Sequence, residues 1–126
     1  VVPLLGPEPA RRAVADVTRA LRTAESAPTG FVHGDLGGAN VLVARDPEAA
    51  VAGVLDWEAA GPGDPAVDLA ALSVSVGPGT RERPAAFPGL AARADAYAAT
   101  FALQEAVYGL REGDASAVEA GLAPYR

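Results

Sequence analysis

The sequence predicts an α+β domain, mostly helical with one small β-hairpin, on three observations. Apolar residues recur at three- and four-residue spacing over 7–24 and again over about 89–111, the pattern of helices with one covered face. Two short β-branched runs, 41–44 and 51–55, flank the turn sequence RDPE. Glycine- and proline-rich stretches, HGDLGGAN at 33–40 and AAGPGD at 59–64, interrupt both patterns and read as loops.

In chain order, PEPARRAVADVTRALRTA (7–24) sets Ala10, Ala13, Val14, Val17, Leu21 and Ala24 on one helix face, and Pro9 suits a first helical turn. ESAPTG (25–30) breaks that pattern, and the apolar pair Phe31 and Val32 leads into the glycine-rich loop. Val41 to Ala44 and Val51 to Leu55 are the hairpin strands, with Pro47 marking their turn. Asp64 suits the cap of a helix that opens with Pro65 and continues as AVDLAALSVSV, and Gly77 to Gly79 ends it. From about Gly89 to Arg111 an alanine-rich helix aligns Leu90, Ala94, Tyr97, Phe101 and Tyr108, and EGD (112–114) separates it from a last short helix. Trp57 and the stripe of Tyr97, Phe101 and Tyr108 read as core.

At 126 residues, half of them hydrophobic, the chain has the size at which one domain buries a working core. A formal charge of −6 with scattered basic residues leaves no phosphate-backbone footprint, so nucleic acid is not an expected partner. No apolar run reaches bilayer-spanning length, and VVPLLGPEPARR lacks the order of a signal peptide, so a soluble, cytoplasmic chain away from membranes is expected. The absence of cysteine excludes disulfides and thiolate chemistry. All ten basic residues are arginine, so this chain offers neither Schiff-base chemistry nor a lysine grip on phosphates.

Asn40 stands just before the first hairpin strand and Asp56 just after the second, symmetric about position 48 in the turn. Strands of equal length therefore return both residues to one open end, beside the loop that carries His33 and Asp35. An amide oxygen and a carboxylate at one point are hard ligands suited to magnesium, which binds through one or two carboxylates plus substrate phosphates. Zinc fits poorly to one histidine and no cysteine. Asp35, five residues before Asn40, shares the site in the place of a base. Phosphoryl transfer needs those two services, charge neutralisation by metal and a carboxylate that orients the attacking hydroxyl and takes its proton.

HGDLGGAN, followed by VLDWE (54–58) and GDPAVDLA (63–70), resembles the aminoglycoside phosphotransferase and choline kinase group, the small-molecule branch of the protein-kinase-like fold. The family's loop pattern of His-x-Asp, four residues and Asn is matched by His33, Asp35 and Asn40. The resemblance implies a kinase that moves the γ-phosphate of ATP to a hydroxyl of an aminoglycoside-like or other small substrate. It implies Asp35 as catalytic base, Asn40 and Asp56 as magnesium ligands, and Asp68, with His33, as support for the catalytic loop. It covers nearly all of the chain, and the closing segment FALQEAVYGLREGDASAVEAGLAPYR resembles the C-terminal end of bacterial members.

Departures from the larger protein-kinase pattern are also informative. Gly34 fills the slot where regulated kinases place an arginine that reads a phosphorylated activation loop. Only eleven residues separate Asp56 from Asp68, too few for a segment that holds an extended peptide. A compact hydroxyl-bearing substrate fits better. Family members also carry an N-terminal lobe with a glycine-rich loop and a phosphate-gripping lysine, and this chain has neither. Residues 1–126 therefore read as the C-terminal lobe of a two-lobe enzyme, inactive alone, with the missing N-terminal lobe as its partner and an acceptor pocket built from residues 66–111.

Each residue also has a plainer reading. His33 is first a core histidine satisfied by a backbone carbonyl, and Asp64 a helix cap. Asp68 is a buried structural anchor. Glu58 is either a solvated carboxylate or a contact for water or substrate amines. The acidic balance favours a cationic substrate. A glycosidase pairing of Asp35 with Asp56 would leave Asn40 and Asp68 unexplained. A non-catalytic ligand- or partner-binding domain of kinase-lobe shape is the remaining alternative.

Overall fold

The computed structural model describes residues 1–45, 51–77, 79 and 89–126. Among these the elements run α1 (Pro7–Glu25), β1 (Gly30–Val32), β2 (Val41–Val43), β3 (Val51–Val54), β4 (Gly61–Gly63), α2 (Ala66–Ser75), α3 (Leu90–Glu112) and α4 (Ala115–Leu122). Short 3-10 turns occur at Val2–Leu4, Gly38–Asn40 and Ala123–Tyr125. The fold is α+β and mostly helical. The turn expected around Pro47, and Pro78 in the expected helix stop, lie outside the described residues.

Two compact units emerge, Ala27–Ala98 and a second made of Val1–Ser26 with Ala99–Arg126. The first holds both small ladders. β2 and β3 pair antiparallel with Val41 opposite Val54 and Leu42 opposite Gly53, and an irregularity follows at Val43. β1 and β4 form a second antiparallel ladder, Gly30 opposite Gly63, Phe31 opposite Pro62 and Val32 opposite Gly61. The sequence pattern reads Gly61–Gly63 as loop and Phe31 and Val32 only as an apolar pair leading into one, so this ladder was not expected. Gly-Pro-Gly has the opposite of strand propensity, and proline cannot donate to a ladder. The pairing is compatible with proline because every second residue of an antiparallel strand needs no N–H for the ladder, and Pro62 is flanked by Gly61 and Gly63, which both keep theirs. α2 follows directly and buries Ala66, Ala70 and Ser73.

In the second unit Ala13, Leu103 and Tyr125 form the core, with Val1, Leu5 and Ala102 against it. α4 lies close on α3 because the contact residues are small. A Cβ at Gly109 would meet the Asp114 carbonyl oxygen and the Val118 nitrogen at 2.7 Å each, and one at Gly121 would collide with the Ala102 carbonyl and the Ala106 nitrogen. Asp114 caps α4 by accepting from the Ser116 and Ala117 amides. The bond from Ser116 Oγ, then those amides, hold its carboxyl below the usual carboxylate range. Tyr125 Oη lies 3.0 Å from both the Asp16 carboxylate and the Ala99 carbonyl.

The helical faces differ from the expected core in one respect. Of the apolar stripe on α1 only Ala13 is buried, while Val14, Val17 and Leu21 are 52%, 39% and 62% exposed. Val14 and Val17 line an open apolar groove of about 440 Å³ with Val1, Pro3, Leu103 and Val107. Tyr108 and Trp57, expected in the core, are likewise more than half exposed.

Candidate active site

The loop between β1 and β2 is built on backbone bonds that its glycines permit. Asp35 is followed by a turn in which Gly37 N–H donates to the Asp35 carbonyl at 2.9 Å and Asn40 N–H to the Gly37 carbonyl at 3.0 Å. Gly38 N–H donates to Ser75 Oγ at 2.8 Å, which ties this turn to the end of α2. Gly34 has φ +85°, and a Cβ there would stand 2.5 Å from the Ala59 carbonyl oxygen. Only glycine meets both conditions without strain.

His33 is 3% exposed. Its Nε2 lies 2.8 Å from the Leu55 carbonyl, and its Nδ1 accepts the Asp35 N–H at 3.3 Å. With Nδ1 accepting, the ring proton sits on Nε2 and is donated to Leu55. Asp68, half-buried in the first turn of α2, accepts from the two successive amides that lead to Asp35. His33 N–H meets Oδ2 at 2.8 Å and Gly34 N–H meets Oδ1 at 2.9 Å. One oxygen per amide fixes the orientation of that peptide segment as well as its position.

Asn40 brings the loop to the strands. Its Nδ2 donates to the Asp35 carbonyl at 2.9 Å and approaches the Asp35 carboxylate Oδ2 at 3.3 Å. Its own carbonyl accepts the Leu55 N–H at 2.8 Å, extending the β2–β3 ladder by one rung. Leu55 is thus bonded through its N–H to Asn40 and through its carbonyl to His33, and Asp56 is the next residue. Asp56 has φ +59°, unlike every other described residue that is not glycine. Such a conformation costs on the order of 1–2 kcal/mol for a residue with a Cβ, and retained strain of this kind marks functional sites.

Asp35, Asp56 and Glu58 are all solvent-exposed. Among the described residues no three His, Asp, Glu or Cys side chains cluster tightly enough to hold a metal unaided. The oxygen donors present, one carboxylate at Asp56 and one amide at Asn40, suit a cation that completes its shell from water and substrate phosphates. Beside them Trp57 stacks on Phe31, centroids 6.4 Å apart, and tilts over His33 at 4.7 Å. Trp57 Nε1 donates to the Val54 carbonyl at 2.9 Å.

Several participants escaped sequence reasoning. Ser75 and the backbone of Leu55 carry no motif signal, since any residue has a carbonyl and serine is common in helices. Asp64 does more than cap. Besides accepting the Ala66 N–H at 3.0 Å, it takes Arg93 Nε at 2.9 Å, Arg93 Nη2 at 3.3 Å and the Tyr97 hydroxyl at 3.0 Å. Burial pushes its carboxyl up, but the bonds from Arg93, Ala66 and Tyr97 and the Arg93 charge outweigh that and hold it below the usual range. Tyr97 is pushed up to about 12, by burial first and then by its bond to and the charge of Asp64.

A His-x-Asp loop, a hairpin with Asn40 and Asp56 at its open end, and a helix carboxylate bracing the loop sit in an α+β, mostly helical fold of the kinase-like phosphotransferase kind. The chain belongs to the phosphotransferase enzyme family, whose model matches residues 2–106. Among individual proteins it is 46% identical over 101 residues to the viomycin phosphotransferase of Streptomyces vinaceus, an alignment spanning 75% of this chain and 35% of that protein. In fold it resembles a macrolide 2'-phosphotransferase type I, with TM-score 0.62 and 22% identity over 96% of this chain and 50% of that one. A thermostable mutant of an aminoglycoside phosphotransferase matches with TM-score 0.58 and 24% identity, over 90% of this chain and 42% of its own. A macrolide 2'-phosphotransferase from Brachybacterium faecium matches with TM-score 0.55 and 25% identity, over 94% and 51%. The chain therefore spans between a third and about half of the length of these relatives. Among the described residues no helix is long and apolar enough to cross a membrane.

Proposed function

We propose that this chain is the catalytic lobe of a small-molecule kinase that transfers the γ-phosphate of ATP to a hydroxyl of an antibiotic-like acceptor. The observation that carries the reading is the hydrogen-bonded join of loop and hairpin. Asn40 holds Asp35 through its amide, and its carbonyl holds the Leu55 N–H immediately before Asp56. One short network thus links an exposed carboxylate suited to proton transfer with a second carboxylate and an amide oxygen suited to magnesium.

In this reading the Asp35 carboxylate orients the acceptor hydroxyl and takes its proton. Asn40 turns its Nδ2 toward Asp35, which leaves Oδ1 as the amide atom for a cation, and Asp56 supplies the charged ligand. Magnesium, when bound, neutralises charge on the donor phosphates. Asp68 and His33 hold the loop backbone, and Glu58, exposed two residues after Asp56, is the side chain we assign to water or an amine of the acceptor. The nucleotide is gripped by an N-terminal lobe outside this chain, since no lysine is present here. The likeness to viomycin phosphotransferase makes viomycin the first acceptor to test, and a net charge of −6 favours cationic acceptors in general.

The test is an acceptor panel of viomycin, macrolides and aminoglycosides with ATP and magnesium, run on the two-lobe parent protein and on the 126-residue chain alone. Transfer by the parent, its loss by a factor of about 10² or more in Asp35→Ala, and silence of the lone chain are expected. Full transfer by Asp35→Ala would remove Asp35 as base. Ordinary ATP turnover by the lone chain would remove the need for a second lobe.

A further inference from the structure

Asp64 and Arg93 form an ion pair that is largely withdrawn from water, their side chains 6% and 17% exposed. Withdrawing both charges costs desolvation that their attraction barely repays, and an apolar pair of the same volume is often as stable. What the pair supplies is geometry. The guanidinium meets the carboxylate as a two-pronged fork, Nε to Oδ2 and Nη2 to Oδ1, while the Tyr97 hydroxyl and the Ala66 N–H take remaining positions. Four donors on one carboxylate approach its capacity and leave little freedom of tilt. The atom group so fixed is the start of α2.

Four residues after Asp64, in the first turn of α2, Asp68 accepts the His33 and Gly34 amides that lead directly to Asp35. α3 is thereby joined to the loop through two carboxylates less than two helical turns apart, each bonded through both its oxygens. A catalytic carboxylate displaced by about 1 Å can lose about 10² in rate. We propose that Arg93 and Tyr97 are positioning residues for the transfer reaction. By clamping Asp64 they set the first turn of α2, hence Asp68, hence the peptide that aims Asp35. The kinetic half of this proposal rests on the reading of the loop as catalytic, whereas the structural half does not.

The experiment has two arms. In the 126-residue chain, amide hydrogen exchange is followed by NMR in Arg93→Met, Asp64→Asn and Tyr97→Phe. Loss of a bond to a charged group is expected to speed exchange at the His33 and Gly34 amides by about tenfold or more, with the β2–β3 amides unchanged. Tyr97→Phe removes one hydroxyl and keeps the ring, so it reports even where Arg93→Met unfolds. In the two-lobe parent, the same variants are expected to lower kcat by about tenfold at constant KM for ATP, with Arg93→Lys restoring part of the rate. Uniform acceleration of exchange across the whole unit, or unchanged His33 and Gly34 amides in both Arg93→Met and Tyr97→Phe, would overturn the clamp. A raised KM for ATP with intact kcat would overturn its catalytic role. Retained transfer in Asp35→Ala would instead discard the catalytic reading while leaving the exchange result to decide the clamp.

Discussion

Gly34 and Asp56 show how much of this site is decided by backbone conformation at single residues. Gly34 combines φ +85° with the Ala59 carbonyl at contact distance, so the arginine that regulated kinases carry in this slot has no room. Gly34→Arg is expected to destabilise by about 2–4 kcal/mol, combining backbone strain with overpacking, and urea unfolding measures it. Asp56 presents the reverse case, since its φ of +59° is easier for glycine. Asp56→Gly is expected to leave stability equal or raise it by up to about 1 kcal/mol while abolishing magnesium-dependent transfer in the two-lobe parent. A thermal melt beside the transfer assay separates the two effects. The residue types at 33, 35, 40, 56 and 68 were legible as a spaced pattern. The strain at Asp56 was not, because nothing in an aspartate's identity reports its φ.

Elements were legible where periodicity is long and obscure where pairing is short. α1 and α3 match the predicted spans to within a residue or two, because many repeats of one period average out local exceptions. β1 and β4 are three residues each and include Gly-Pro-Gly, so their ladder is visible only once both segments are placed side by side. The covered faces were predicted less well than the helices themselves. Val14, Val17 and Leu21 satisfy the rule for a buried stripe on α1 yet stand exposed, since periodicity shows that a face is apolar and not what covers it. The contact between α3 and α4 tests the role of small residues. Gly121→Val places atoms where the Ala102 carbonyl and Ala106 nitrogen already lie, and a cost of about 1–3 kcal/mol in denaturant unfolding is expected. Asp114→Ala is expected to lower the melting midpoint by leaving the Ser116 and Ala117 amides without their cap.

For the whole molecule the titrating groups define a pH window. Asp64 is held below its usual value in the folded state, so its contribution is present above the ordinary carboxylate range and is lost as pH falls through its lowered folded value. Tyr97 and Tyr125 are raised from 10.0 to about 12, so each contributes while protonated. That stability is complete below the unfolded value near 10 and disappears as pH rises through about 12. These groups are expected to add an acid limb, where stability falls as pH drops through the lowered Asp64 value, and an alkaline limb, where it falls as pH rises from about 10 through about 12. Chemical denaturation across pH checks this. Tyr97→Phe together with Tyr125→Phe should flatten the alkaline limb, and Asp64→Asn the acid one. Surface pairs such as Arg11–Glu8, with both side chains more than two-thirds exposed, add little to either limb.

The helices, the hairpin and the spacing of Asp35, Asn40, Asp56 and Asp68 were readable from the amino acids in order, because local periodicity and a fixed interval along the chain are properties of the string. The absence of lysine was equally plain there. Which backbone groups finish the site follows from the folded arrangement and not from the order of residues. Leu55 joins Asn40 to His33 through an amide and a carbonyl that every residue possesses, and the β1–β4 ladder is assembled from residues of poor strand propensity. The same arrangement also decided that Arg93 and Tyr97, 29 and 33 residues after Asp64, complete that carboxylate. Long-range hydrogen bonds depend on where two segments meet, and a one-dimensional pattern carries no record of that meeting.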